Sequence, residues 1–300
     1  MAVSQAVSHG LNQRGEALSQ ALPPLLVRAE KVAASVILGV HGRRTAGTGE
    51  SFWQYRAYGF GDSTQRVDWH RSAKSDTVYI RENEWESANT LWVWANTGPR
   101  MDYKSHLSNV TKCDRAQIIA MAMTSLAMRG HERVGALGSP RAAANGRMSL
   151  LRTAEWIAEK RDAQLPAMSA RQKRAAAVLV SDFLEPMADI RRSWTMLAEA
   201  GLKGHIVQIA DPAEETLPFD GRNEFLGLDT SSTYLARKTE TLRSAYEKAY
   251  ADHGQALRDL ARSLGWTFTV HRTDEVPTRC LLPLYTHVAG TARFNAVQSA

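Results

Sequence analysis

Acidic, basic and imidazole side chains are concentrated in residues 41–71. Asp62, Asp68 and His70 are residue types that act as general acids and bases, and the neighbouring arginines could hold a phosphate group. The same stretch is also rich in glycines that permit tight turns and in aromatic side chains, Trp69 among them, that can bury against a sheet. We therefore favour a structural or partner-docking role for it, and a hydrolase remains the catalytic alternative.

Other local patterns give little support to catalysis. Glu82, Glu84 and Glu86 would share one face of a predicted strand and could bind a cation, but such acids more often neutralise nearby arginines. The sequence contains no G-x-S-x-G, no H-E-x-x-H and no G-x-x-x-x-G-K-[ST] motif. Cys113 and Cys280 stand far apart, which argues against a disulfide framework or a cysteine zinc site and favours a reducing cytoplasm.

Composition indicates a folded, soluble protein. The 300 residues are 44% hydrophobic and 23% charged, close to an ordinary globular chain. The net charge of +6 comes from scattered arginines, so we expect no nucleic-acid partner. The beginning of the sequence resembles no secretory signal, and no apolar run approaches the roughly 18 residues that span a bilayer. We expect a cytoplasmic protein without a membrane segment.

Strands and helices alternate along the chain after residue 90. Apolar runs at residues 91–95, 134–137, 176–180, 205–209 and 266–270 predict strands, and helical spacing predicts helices at 24–39, 115–128, 150–160, 190–200, 242–264 and 278–287. This alternation is typical of βαβ units, so we expect an α/β fold with a mainly parallel sheet flanked by helices. Right-handed crossovers then bring the loops after Ala95 and Val180 to the carboxyl edge of the sheet, where such folds bind ligands.

A long spaced motif precedes the main strands. Its residues are Gly49, Phe52, Arg56, Tyr58, Gly61, Asp62, Arg66, Asp68 and Trp69, with Val67 where isoleucine is commonest. A second stretch, VLVSDFLEP, lies at residues 178–186. The motif resembles the hallmark of a bacterial family called domain of unknown function 58, and the second stretch is similar to a later strand and loop of that family. The resemblance extends over about residues 20–290.

This resemblance implies a von Willebrand factor A-like, Rossmann-like domain and a MoxR-type AAA+ ATPase as partner. The expected organisation is a flexible N-terminus at 1–20, an N-terminal helix with the hallmark segment at 21–87, the A-type domain at 88–290 and a tail at 291–300.

A-type domains carry a D-x-S-x-S loop after their first strand, because a carboxylate and two hydroxyls are hard oxygen ligands for a magnesium-like ion. The corresponding loop here is NTGPR, in which Asn96, Gly98 and Arg100 replace those three ligands. Asp182, in the later loop, is the acid that survives. We interpret the loop as a degenerate metal-ion-dependent adhesion site, expect no bound metal, and predict an ion pair between Arg100 and Asp182 in place of the ion. The alternative for Asp182 is a helix cap or loop acid.

The leading hypothesis is a non-enzymatic adaptor that works with a MoxR-type ATPase and has neither a cofactor nor a membrane partner. A first alternative is a magnesium-dependent binding domain that uses Asp182 and Asn96. A second alternative is an uncharacterised hydrolase built around Asp62, Asp68 and His70.

Overall fold

The computed structural model divides the chain into two compact units. One comprises Met1–Val40 with Ala88–Ala300, and the other comprises His41–Ser87. The residues that the structure describes are 23–37, 52–57, 69–74, 77–83, 90–159, 165–168, 175–228 and 232–298.

The smaller unit contains an antiparallel pair of strands. β1 (Phe52–Ala57) pairs with β2 (Tyr79–Asn83), with an irregularity in register between Phe52 and Gln54. The one-turn helix α2 (Trp69–Ser72) precedes β2, and the backbone N–H of Tyr79 donates to Ser72 Oγ at 2.9 Å. These are the short strands that its composition predicted. Glu82 of the proposed strand face lies in β2, whereas Glu84 and Glu86 lie outside the described residues.

A five-stranded parallel sheet forms the centre of the larger unit. Its strands are β3 (Thr90–Ala95), β4 (Arg133–Ala136), β5 (Ala176–Ser181), β6 (Lys203–Ala210) and β9 (Thr267–Arg272), in the order β4-β3-β5-β6-β9. All four pairings are parallel. The α/β prediction is therefore confirmed. The reversal of order beside β3 is the topological switch of doubly wound sheets, where the carboxyl ends of strands form a crevice.

Helices cover both faces of this sheet, because alternate side chains of each strand point to opposite sides. The first core contains Leu91 and Val93 of β3, and the second contains Trp92. Helices α3 (Lys112–Arg129), α4 (Arg147–Glu159) and α8 (Thr278–Gln298) contribute to the first core, and α5 (Met187–Glu199) and α7 (Arg243–Ser263) contribute to the second.

The helix at residues 23–37, α1, also belongs to the first core. Its Ala29, Ala33 and Val36 are buried with the α3 side chains. Glu30 accepts a hydrogen bond from Ser125 Oγ at 2.7 Å and pairs with Arg129. The expected organisation places this helix with the hallmark segment, whereas its buried side chains pack in the core of the larger unit.

Aromatic packing in the second core depends on one glycine. Phe183, Trp194 and Trp266 form a chain of ring contacts, with centroids 5.3 Å apart for the first two and 5.9 Å apart for the last two. Gly204 in β6 lies under the indole of Trp266, where an added Cβ would come within 2.2 Å of Trp266 Cε3. The absence of a side chain at this glycine therefore makes room for the indole.

Two features between β6 and α7 were not predicted. Helix α6 (Pro212–Thr216) follows β6 directly, and β7 (Asn223–Leu226) then pairs antiparallel with β8 (Thr233–Ala236) as a hairpin. In addition, α8 continues to Gln298, past the predicted helix end at residue 287 and into the predicted tail. Within the described ranges, no helix has the length and apolar character needed to cross a membrane.

Candidate functional site

The loops that follow β3 and β5 meet at the carboxyl edge of the sheet. Asn96 is 2% exposed, its Oδ1 accepts from the backbone N–H of Gly98 at 2.8 Å, and its Nδ2 donates to Ser181 Oγ at 3.0 Å. The Asn96 backbone N–H donates to the carbonyl of Val180 at 2.8 Å. The amide that stands in place of the usual aspartate thus holds its own loop through Oδ1 and joins that loop to the end of β5 through Nδ2.

Arg100 lies in a short 3-10 turn, Pro99–Asp102, and pairs with Glu185. Both side chains are largely buried, with 19% of the arginine and 10% of the glutamate exposed. Burial raises the pKa of Glu185, and the guanidinium of Arg100 opposes that rise. This pair fastens the β3 loop to the β5 loop beyond Asp182.

The cation that contacts Asp182 is Lys112. Its Nζ lies 3.0 Å from Asp182 Oδ2 and 2.5 Å from Glu214 Oε1, and only 2% of the lysine side chain is exposed. The predicted ion pair between Arg100 and Asp182 is therefore wrong in its choice of cation. The physical reason is positional, because the short turn directs Arg100 to Glu185 while the first turn of α3 directs Lys112 to the aspartate.

Backbone and side-chain hydrogen bonds hold both carboxylates in place. Gln208 Nε2 donates to the carbonyl of Asp182 at 3.1 Å. Glu214 Oε2 accepts from the backbone N–H of Asp211 at 2.9 Å, which is one half of a capping box at the start of α6. Asp211 Oδ2 in turn accepts from the backbone N–H of Ser105 at 3.0 Å. These hydrogen bonds tie the two carboxylates to the backbone at the carboxyl edge.

Electrostatics at the site favour a charged lysine beside neutral phenols. Burial alone would lower the pKa of Lys112, but the charges and hydrogen bonds of Asp182 and Glu214 raise it above its ordinary value. Burial raises the pKa of Glu214, which the ammonium opposes. Burial, with the charge of Glu214, also raises the pKa of Tyr246 to about 12. At neutral pH the ammonium is therefore the positive charge that faces the two carboxylates.

These residues do not fit a divalent ion. The point between Asp182 and Glu214 where a metal could be shared holds the Lys112 ammonium, and Asn96 Oδ1 is engaged by a backbone N–H. Among the side chains whose positions are described, no three His, Cys, Asp or Glu converge as metal ligands would.

The hallmark segment contributes only part of its predicted residues to the described structure. Phe52 and Arg56 lie on β1, and Trp69 begins α2 with 66% of its surface exposed. His70 also belongs to α2. The residues outside the described chain are Gly49, Tyr58, Gly61, Asp62, Arg66 and Asp68.

Sequence reasoning missed Lys112, Glu185 and Glu214, although two local signals were present. A lysine in the first turn of a helix lies near the positive end of the helix dipole, which repels its charge. Such a lysine is therefore favourable only if carboxylates lie close to it. The sequence D-P-A-E at residues 211–214 is a capping-box pattern, which places the glutamate in the first turn of a helix. Together these signals would have pointed to the carboxyl edge.

Apolar side chains are exposed on the loops around this site. Leu107 follows β3 and is 44% exposed, and Leu184 follows β5 and is 38% exposed. The β7–β8 hairpin exposes Leu226 at 67% and Tyr234 at 57%. We call Leu107, Leu184 and the hairpin the edge surface. Its apolar side chains border a centre in which polar groups bond to one another.

Comparison with known proteins gives a family match and several distant relatives. The profile described as "Protein of unknown function DUF58" matches residues 54–256. The uncharacterized proteins Mb1516 of Mycobacterium bovis and Rv1480 of Mycobacterium tuberculosis are each 24% identical over 274 residues, which covers 86% of this chain and 85% of each relative.

Two solved structures also align with the chain. An aerotolerance-related membrane protein from Bacteroides fragilis aligns with a TM-score of 0.43 and 11% identity, and the conserved hypothetical protein BatB from Bacteroides thetaiotaomicron aligns with 0.40 and 9%. Each alignment covers 67% of this chain and 99% of the solved one.

Proposed function

Since the chain belongs to the family described as protein of unknown function DUF58, as the hallmark motif predicted, we propose that it is a non-enzymatic adaptor. Its edge surface docks a protein partner, and that partner is a MoxR-type AAA+ ATPase in the cytoplasm. The choice of partner rests on the family resemblance in the sequence. The choice of surface rests on the described side chains at the carboxyl edge.

The exposed leucines of the edge surface are the observation that carries this proposal. Leu107 and Leu184 come from two separate loops, yet both follow parallel strands and so lie at the same edge. Exposed apolar side chains grouped on one side of a protein are typical of contact surfaces, and a few of them supply most of the binding energy. The ion pairs behind them hold the loops rigid, which lowers the entropy lost on binding.

The arrangement of polar groups supports an adaptor better than an enzyme. A catalytic acid or base needs a substrate-accessible position, but Asp182 is 1% exposed and Lys112 is held between two carboxylates. The magnesium-dependent alternative through Asp182 and Asn96 loses support for the same reason, because the ammonium takes the position that the ion would need.

The experiment that tests this proposal measures binding between the purified full-length chain and the MoxR-type ATPase of its own organism, with a non-hydrolysable ATP analogue. Leu184→Glu places a charge in the docking surface and is expected to weaken binding by about tenfold or more, equivalent to about 1.4 kcal/mol.

Met196→Glu is the matched control for that variant. Met196 is 45% exposed but lies in the later turns of α5, away from the carboxyl edge, so its binding should stay within about twofold of wild type. Absence of any complex with the wild-type chain would overturn the proposal. Equal weakening by both variants would overturn the assignment of the surface.

A further inference from the structure

We infer that the Lys112 ammonium is a built-in cation, which takes the place of the divalent ion that an A-type fold would hold at this edge. The inference rests on and deepens the proposed adaptor function, because it makes docking independent of free metal ions. It also differs from the sequence-based expectation, in which Arg100 had that role. Three observations lead to it: the position of the ammonium, the charge balance and the location of the lysine in α3.

The Lys112 ammonium lies between two carboxylates that come from different parts of the chain. Asp182 is the acid that corresponds to the surviving metal ligand, and its Oδ2 bonds Lys112 Nζ at 3.0 Å. Glu214, in the first turn of α6, bonds the same Nζ at 2.5 Å. The face of Tyr103 lies 5.7 Å from the ammonium, within the range of a cation–π contact. One point therefore collects carboxylate oxygens from the β5 loop and α6 together with an aromatic face, which are groups that attract a cation.

Charge balance indicates which kind of ion the lysine replaces. The two carboxylates carry two negative charges against one positive charge, so a divalent ion at the same point would neutralise them fully. Calcium accepts carboxylate oxygens in irregular geometry, whereas magnesium demands a near-ideal octahedron. Without the lysine side chain, the pair should therefore accept calcium more readily than magnesium.

Lys112 lies at a position where a buried positive charge is unfavourable unless carboxylates surround it. It occupies the first turn of α3, after Thr111, whose side chain accepts from the backbone N–H of Asp114 at 3.0 Å. A positive charge there is repelled by the positive end of the helix dipole, and its burial adds the free-energy cost of removing the charge from water. The two carboxylates offset both effects. The lysine thereby connects α3, the β5 loop and α6 through one covalently attached charge that no chelator can remove.

The test uses two variants of the full-length chain. Lys112→Ala removes the ammonium and leaves a gap, whereas Lys112→Met removes the charge but keeps most of the volume. Thermal unfolding is recorded with EDTA and then with roughly 10 mM calcium or magnesium chloride, about 100-fold above the Kd of a weak protein site. Lys112→Ala should gain about 5–10 °C with calcium and less with magnesium.

Wild type and Lys112→Met should show no such gain, and adding Asp182→Asn to Lys112→Ala should abolish it. If Lys112→Ala is unfolded in EDTA, recovery of its circular dichroism spectrum on adding calcium supports the inference. A folded Lys112→Ala without a calcium response overturns it, as does a variant that stays unfolded in both ions while Lys112→Met folds. Calcium stabilisation of wild type that Asp182→Asn removes would also overturn it. Failure to capture the ATPase leaves these outcomes unchanged, so the two proposals can fail separately.

Discussion

Replacing Lys112 by methionine should destabilise the protein strongly at neutral pH and less strongly in acid. The variant leaves Asp182 and Glu214 buried without their cation. Removal of one partner from a buried ion pair costs about 3–5 kcal/mol, because the remaining charge has lost its solvent and its counter-charge. We expect a loss in this range from the free energy of unfolding at pH 7.

The pH dependence follows from Glu214. Burial already raises the pKa of this carboxyl above its ordinary value, and loss of the ammonium removes the main effect that opposes the rise. A raised pKa in the folded state means that the folded protein binds its proton more tightly than the unfolded chain, so acid favours folding at this group. The difference between wild type and Lys112→Met should therefore shrink to about half at pH 4.

Urea unfolding of both proteins at pH 7 and pH 4 measures this difference. Arg262→Met is the control, because Arg262 pairs with Asp259 on the surface of α7 with 79% and 55% of the side chains exposed, and its loss should cost about 0–1 kcal/mol. A cost below about 1 kcal/mol for Lys112→Met at pH 7, or a cost equal at both pH values, would refute the reasoning. Neutralising all three groups together, with Asp182→Asn and Glu214→Gln added, should recover most of the loss.

Two further predictions concern buried positions. Gly204→Ala should lower the free energy of unfolding by about 1–3 kcal/mol, because its Cβ would overlap the Trp266 indole. Gly254→Ala in α7 meets only Arg258 Nη2 at 3.6 Å and should raise the free energy of unfolding by about 0.5–1 kcal/mol, so equal urea midpoints for the two variants would contradict this prediction. Burial lowers the pKa of His271 to about 4, so the stability that it contributes is full above its ordinary value of 6.5 and falls as pH drops toward 4. Between pH 7.5 and 5.0, wild type should lose about 2 kcal/mol more than His271→Phe, and parallel pH profiles of the two proteins would disprove the assignment.

The sequence predicted the main sheet well, because most of its strands contain a run of apolar residues. β5, for example, is buried on both faces from Ala177 onward, and such strands show no polar alternation that would confuse the pattern. The β7–β8 hairpin was missed because its residues are largely exposed, so it has neither an apolar run nor a buried face to mark it. Helix α6 was missed because five residues are too few to show helical spacing.

The sequence predicted the loop residues of the candidate site but not the lysine that contacts Asp182. Asn96, Gly98 and Asp182 were placed at the carboxyl edge by strand order alone, which topology determines. Lys112 lies 70 residues from Asp182 and 102 residues from Glu214 along the chain, so their contact depends on how α3 and α6 are rotated about their axes. Periodicity predicts which residues form a helix, but it does not predict which distant carboxylate the first turn of that helix meets.

The packing of α1 has a consequence for how the chain folds during synthesis. This helix leaves the ribosome before the hallmark unit and before every strand of the main sheet, yet Ala29 and Ala33 are buried in the same core as α3 and the much later α8. An isolated helix of 15 residues is only marginally stable in water. The apolar face of α1 can therefore meet α3 early, but its core is not complete until α8 has been added, more than two hundred residues after α1.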